Sequence, residues 1–462
     1  MNRSGMTDIM APVPAPHSAG RSLTHMIGRF ADTGTWKVAM SDGWRFSFAE
    51  MNYWSPAKNW LQLETGDFNG DGMTDLVAQA PDGQWWLALA NGGYHAFSST
   101  DSLPRDGRYD FVGVGDFNGD GLDDLILRSR DGHWTLALST GDGFRCRPID
   151  SLPAAAKQNS LVGDARGLAH FPMPGEENVP VPFATAMPGE ESAPVPFATV
   201  AKENLLIGDF LGNGRKQLAA LDPQSGHWTI AGLDSARGLA HFPMPGEENV
   251  PVPLAGRGEE HVPVPFAGDA GLRWTVQPWG DFPPGAHWQH PRAADFCGTG
   301  HAAVAAWDPA SGNWTVGHDE ARRLIAKPFG KWEPGKNWKC VATGRFGKGS
   351  AAGIAALDAT TGQICVADSD GKRFTTHRYP GHPAMTERFY VGAFSGKACD
   401  ELLGIAADGQ LWVGKFADGS AGEDKSSGGT LRFSSWGRWP DFERLTDFRT
   451  ISYWPENERR SQ

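Results

Sequence analysis

Cysteine is scarce in this chain: five in 462 residues, at positions 146, 297, 340, 365 and 399. They show no CxxC or zinc-type spacing, and their odd number leaves at least one outside any disulfide within the chain, which excludes a disulfide-knit scaffold. No stretch approaches the ~18 consecutive apolar residues of a membrane helix. No long basic run offsets the net charge of −12, which argues against nucleic acid and against anionic membrane surfaces as partners. The first residues, MNRSGMTDIMAPVPAPHSAG, hold one arginine and no apolar core of about seven residues, so 1–20 reads as a flexible tail and not as a secretory signal. No P-loop, nucleophile elbow or zinc-protease motif occurs either, and an enzyme is not expected.

What the chain does have is glycine, 59 residues, and tryptophan, 19 residues, the composition of many turns between aromatic-rich strands. The glycines are ordered. GDFNGDGMTDLV at 66–77 returns as GDFNGDGLDDLI at 115–126. Asp67, Asn69, Asp71 and Asp75 fall at positions 1, 3, 5 and 9 of this loop, with Gly72 at the sharp turn and Met73 at position 7 offering only its carbonyl. Asp116, Asn118, Asp120, Leu122 and Asp124 repeat the set. All-oxygen donors with three carboxylates suit a hard cation, and the irregular loop suits calcium better than magnesium. An EF-hand is excluded, because its position-12 glutamate is Ala78 or Leu127 here and the flanks alternate as strands joined by Asp-Gly turns.

A period near fifty residues runs through the rest of the chain. Related modules begin at 208, 294, 344 and 392, and Gly66 to Gly115, Ala294 to Gly344 and Gly344 to Gly392 are separated by 49, 50 and 48 residues. About four short strands per period is one propeller blade. Six whole modules are visible, and the N-terminal GTWKVAM and C-terminal RLTDFRTISYW each carry part of a seventh. Joining them in one sheet closes a ring and removes the open edges. The expected fold is all-β, a seven-bladed propeller over 21–454, with a short C-terminal tail at 455–462.

The modules resemble FG-GAP (or VCBS-type) repeats, the units of the integrin alpha-chain N-terminal propeller and of related bacterial and fungal lectin-like propellers. The resemblance implies that calcium sits in the loop between the first two strands of a blade, held here by Asp67, Asn69, Asp71, Met73 and Asp75 and by Asp116, Asn118, Asp120, Leu122 and Asp124. It also implies a protein-interaction or adhesion role and an extracellular or cell-surface location, with the cytoplasm as the alternative given the N-terminus. The other loops depart from the pattern. Leu211, Arg215 and Gln217 replace ligands after Asp209; Cys297, Thr299 and Ala303 do so after Asp295; Arg345 and Ala393 replace the first aspartate. Two calcium ions are therefore expected.

The spacing also exposes two Pro-rich insertions, 165–200 and 236–268. They share ARGLAHFPMPGEENVPVP at 165–182 and 236–253. Alternating prolines block ladder donors and favour extended backbone, while the VPVPFA phrases suggest docking to a partner or self-association. The Glu pairs at 176–177, 190–191, 247–248 and 259–260 lie in these segments, with no rigid frame to hold an acid and a base in register. His133 and His227 precede Trp134 and Trp228 in a slot that elsewhere holds Gln84, Asn313, Gln363 and Gln410, so they read as structural. Between modules lie WSPAKNW, WGDFPPGAHW and WEPGKNW. Their tryptophans, Trp54, Trp60, Trp279, Trp288, Trp332 and Trp338, are either interblade packing or the faces of a sugar-binding pocket. The function reading is a non-enzymatic calcium-binding interaction module; the alternatives are a carbohydrate-binding lectin and an enzyme's accessory propeller.

Overall fold

The computed structural model describes residues 23–452 except 54–59, 91–94, 101, 106–107, 150–196, 198, 236–271, 285–286, 348, 386–387 and 417–429. Its strands form seven four-stranded antiparallel sheets. Blade 2, for example, consists of Gln62–Gly66, Asp75–Gln79, Trp85–Ala90 and His95–Thr100, paired in chain order. Blades 3 to 7 follow the same plan, the first strand of each ending at the opening residue of one of the repeated modules. Among the described residues the helices are three single 3-10 turns, and no helix is long and apolar enough to cross a membrane. None of the five cysteines is in a disulfide.

Blade 1 is the exception in connectivity. Its strands Thr24–Phe30, Thr35–Ser41 and Phe46–Tyr53 come from the N-terminus, and Leu445–Ser452 from the C-terminus supplies the strand that precedes them in every other blade. The pairing runs antiparallel from Thr24 opposite Ser452 to Phe30 opposite Leu445, with a register shift between Ile27 and Arg29. The two ends are thus in one sheet, as the half-modules require. Arg444 and Asp32 add an ion pair across the seam, Nε to Oδ2 at 2.9 Å, but it is exposed and worth little beside the ladder.

Neighbouring blades pack face to face, and each interface holds one apolar cluster. Seven clusters therefore close the circle, from Ile27, Trp36, Leu63 and Leu76 between blades 1 and 2 to Phe46, Phe394, Leu411 and Trp439 between blades 7 and 1. The repeated phenylalanine of the G-x-F opener explains part of this regularity. Phe68, Phe117, Phe210, Phe296, Phe346 and Phe394 are all at most 1% exposed, and each fills the interface toward the following blade. Trp85, Trp134, Trp228 and Trp314 on the third strands do the same.

Most of both Pro-rich insertions lies outside the described residues. Phe197 and Val200, at the end of the first, are buried against blade 3: the Phe197 ring lies 6.4 Å from that of Trp134, and Arg128 donates to both of their carbonyls. Phe197 and Val200 are therefore part of the core.

Ring closure has a measurable consequence. Ile451 is 3% exposed on the closing strand and packs with Ile27, Trp36 and Leu63. Ile451→Ala should cost about 2–5 kcal/mol by leaving a cavity, read as a lower urea midpoint of one cooperative transition for the whole ring. An unchanged midpoint shows that the seam contributes nothing to stability.

Candidate functional site

The two repeated loops lie between the first and second strands of blades 2 and 3. In blade 2, Gly70 and Gly72 have φ of +75° and +81°, left-handed values that side chains resist, and this turns successive N–H groups inward. The Asp67 carboxylate collects them: Oδ1 accepts from Gly70 and Asp71 at 2.8 and 3.1 Å, and Oδ2 from Gly72 at 2.8 Å. Asp71 Oδ1 accepts from Met73 N at 2.8 Å, and Asn69 Nδ2 donates to Asp71 Oδ2 at 3.0 Å. Asp75, fully buried, ties the loop to the sheet by accepting from Phe68 N at 2.8 Å and Ala90 N at 2.7 Å. Blade 3 repeats each bond. Asp116 accepts from Gly119, Asp120 and Gly121, Asp120 from Leu122, and Asp124 from Phe117 and Ser139.

Blades 4 and 5 make the same turn with fewer charges. Asp209 accepts from Asn213 and Gly214, and Asp295 from Thr299 and Gly300. Asn213 Oδ1 does what Asp71 Oδ1 does, accepting from the position-7 amide. Gln217 Oε1 accepts from Phe210 N at 2.8 Å, where Asp75 serves Phe68. One aspartate at position 1 is thus enough to shape the loop, and neutral side chains serve at positions 5 and 9. In blades 2 and 3 those positions carry two further acids whose charges the turn does not need.

The charges are unfavourable where they stand. Burial pushes the carboxyls of Asp75 and Asp124 up to about 7 and about 8. Burial also raises Asp67 and Asp116, to which the neighbouring Asp71 and Asp120 add. Among the described residues no three acid, histidine or cysteine side chains converge tightly enough to enclose an ion; Asp75 and Asp124 are turned to the backbone. The donor chemistry nonetheless fits a hard cation. A carboxylate offers about four lone-pair sites, so the oxygens that accept N–H groups keep capacity for a metal. Met73 and Leu122 offer only backbone carbonyls at position 7, because their side chains carry no oxygen donor; Leu122 packs over Gly70 of the neighbouring loop, where a Cβ would lie 2.8 Å from its Cδ2.

The tryptophan phrases resolve differently. Trp279, Trp288, Trp332 and Trp338 are 2–4% exposed and belong to interblade clusters; the rings of Trp332 and Trp338 pack against each other, tilted by 59°, with centres 4.6 Å apart. Trp279 and Trp332 also donate their indole N–H to Asp319 and Thr376. Trp60 is half-buried, 6.5 Å from Trp86, and Trp54 lies outside the described residues. The buried four present no face to a sugar; they are packing. His227 is buried and bonded to Asp281 at 2.7 Å, whereas His133 is exposed. Among the described residues the ring that lies open is Trp44, 75% exposed in the blade 1 hairpin turn, with the Lys415 ammonium 4.9 Å from its centre and 4.2 Å from that of Trp436. Its place in an Asp-Gly turn was the available sequence signal.

The FG-GAP-like repeat family matches residues 67–127, from the first loop to the second strand of blade 3. The chain is a seven-bladed propeller carrying FG-GAP-like repeats. No curated protein matches it. Among solved structures it is similar to a protein assigned as a 6-phosphogluconolactonase from Bacteroides fragilis, with TM-score 0.44 and 11% identity over 91% of this chain and 99% of that one, a likeness too slight to bear on activity.

The roles of positions 5 and 9 separate in metal-free protein. With a chelator present, Asp75→Ala should lose about 2–4 kcal/mol in urea unfolding, since two buried N–H groups lose their acceptor. Asp71→Ala should leave stability unchanged or slightly higher. Equal losses from both would mean that Asp71 shapes the loop after all.

A buried acid outside the loops sets a pH dependence. Glu64 is 5% exposed, with Oε1 lacking a partner, and burial raises its carboxyl to about 8, with Arg449 and Lys202 opposing. The folded chain therefore binds this proton more tightly than the unfolded one, and stability falls as pH rises from about 4.5 to about 8. Melting temperatures of Glu64→Gln should lack that part of the fall; a parallel profile would show that Glu64 is ionised at no cost.

Proposed function

We propose that this propeller binds calcium in the loops of blades 2 and 3 and acts as a non-catalytic interaction or adhesion module. The observation that carries the calcium reading is internal to the chain. Four blades make one turn, and only blades 2 and 3 add carboxylates at positions 5 and 9, where Asn213 and Gln217 or Thr299 and Ala303 stand in the others. Buried like charges without a cation oppose folding, and a divalent ion removes the repulsion. Asp67, Asn69, Asp71, the Met73 carbonyl and Asp75 would hold one ion, and Asp116, Asn118, Asp120, the Leu122 carbonyl and Asp124 the other. The ion would supply a fixed positive charge and cross-link loop to sheet.

The interaction role rests on the propeller architecture and on the repeat resemblance. The partner class is protein or glycan, and the Pro-rich insertions are the segments proposed for self-association. The lectin reading attaches to Trp44, whose open ring is flanked by Lys415, Asp42 and Arg45, and not to the buried tryptophans. An extracellular setting, rich in calcium, suits this reading.

Calcium at about 100 times its dissociation constant should stabilise the fold by about 2.7 kcal/mol per site, seen as a higher melting temperature that chelation reverses. Asp71→Ala and Asp120→Ala should each reduce the calorimetric stoichiometry from two to one. No heat of binding in the unaltered protein would end the calcium reading. On a glycan array, binding lost in Trp44→Ala would favour the lectin reading over the protein-partner one.

A further inference from the structure

The loops are not independent of one another. At every interface from blades 2–3 round to 7–1, the loops or their equivalents are hydrogen-bonded across the blade boundary. Asp123 N donates to Asp67 O at 2.8 Å, Lys216 N to Asp116 O at 2.7 Å, Ala302 N to Asp209 O at 2.9 Å and Ala352 N to Asp295 O at 2.7 Å. Asp400 N donates to Arg345 O at 2.6 Å and Thr24 N to Ala393 O at 3.2 Å. Position 8 of the loops in blades 3 to 7 is clamped to position 1 of the loop before it. Positions 7 and 8 of one blade therefore form a wall of the preceding blade's loop.

That wall differs between the two acidic loops. Against the blade 2 loop it is Leu122 and Asp123, an apolar cover and an acid whose Oδ2 accepts from Asp67 N at 2.9 Å. Against the blade 3 loop it is Arg215 and Lys216. Arg215 crosses the interface to donate from Nε to Asn118 O at 3.0 Å, and its side chain lies on Gly119, where a Cβ would meet Nε at 3.2 Å. The Lys216 stem covers Gly115, 2.7 Å from the corresponding Cβ position, directly before Asp116. Inside the loops the side-chain ligands match, Asp, Asn, Asp and Asp at positions 1, 3, 5 and 9, and Met73 or Leu122 offers a backbone carbonyl at position 7. What differs is the added carboxylate of Asp123, bonded to the first loop with the Lys216 charge near it, and the added guanidinium of Arg215, bonded to the second.

We propose that the two loops are unequal calcium sites, the blade 2 loop tight and the blade 3 loop held weak by Arg215. This rests on the calcium reading above. A fixed cation a few ångströms from a divalent ion weakens its binding on the order of tenfold even in a water-like dielectric, and ligand-shell charge is the usual means of tuning calcium affinity. The second site therefore fills at higher calcium than the first, and blade 4 sets the difference.

The test is a calorimetric titration of calcium chloride into the metal-free full-length chain. Two phases separated by about tenfold or more are expected; Asp71→Ala should remove the tighter and Asp120→Ala the weaker. The double change Arg215→Leu with Lys216→Asp copies the wall of the first loop onto the second, and should tighten the weak phase about tenfold or more while leaving the tight one in place. Arg215→Gln, milder in packing, should move it in the same direction if the double variant fails to fold. Two equal sites, or a weak phase that neither variant moves, would overturn the inequivalence while leaving calcium binding intact. Absence of any calcium heat would remove both readings.

Discussion

A four-stranded blade has two apolar faces, and the antiparallel pairing of Leu445–Ser452 with Thr24–Phe30 is what lets all seven blades bury theirs. Without it, blade 1 lacks its first strand, and the clusters on both of its sides lose members: Ile451 on one, Leu445 on the other. The circle has no free end at which that loss could stay local, because each cluster is shared by two blades. The closing strand also explains why blade 1 has no metal-type loop. The connection that carries it in blades 2 to 7 is, in blade 1, the break between the chain's two ends.

The loops use one mechanism for shape and a second layer of residues for charge. Left-handed glycines at positions 4 and 6 turn the amides inward, and one aspartate collects them in blades 2, 3, 4 and 5. Because that turn survives when positions 5 and 9 are neutral, the turn does not need the charges of the extra acids in blades 2 and 3, although Asp75 and Asp124 still serve as buried backbone acceptors. The clamp from position 8 to the preceding position 1 then places each loop in contact with its neighbour. Blade 4, whose own loop has lost its ligands, still contributes Arg215 to the surroundings of blade 3's loop. A degenerate repeat in such a ring keeps a role as the wall of the repeat before it.

Much of this was legible in the linear chain. The fifty-residue period, the acidic loop written twice and the half-modules at the two ends determine an all-β ring of seven units closed by its termini, because periodicity and unsatisfied edges are properties of local sequence. The ligand types at positions 1, 3, 5, 7 and 9 are equally local. Tertiary structure alone decided the rest. Whether the tryptophans between modules faced solvent or core depended on how closely adjacent sheets pack, and Trp279, Trp288, Trp332 and Trp338 proved buried while Trp44, an ordinary turn residue by pattern, proved open. The neighbours of each acidic loop come from the next blade, 56 and 97 residues along the chain in the bonds made by Asp123 and Arg215. No spacing rule within one repeat reports a contact made across that distance, because it exists only once the ring has closed and set blade against blade.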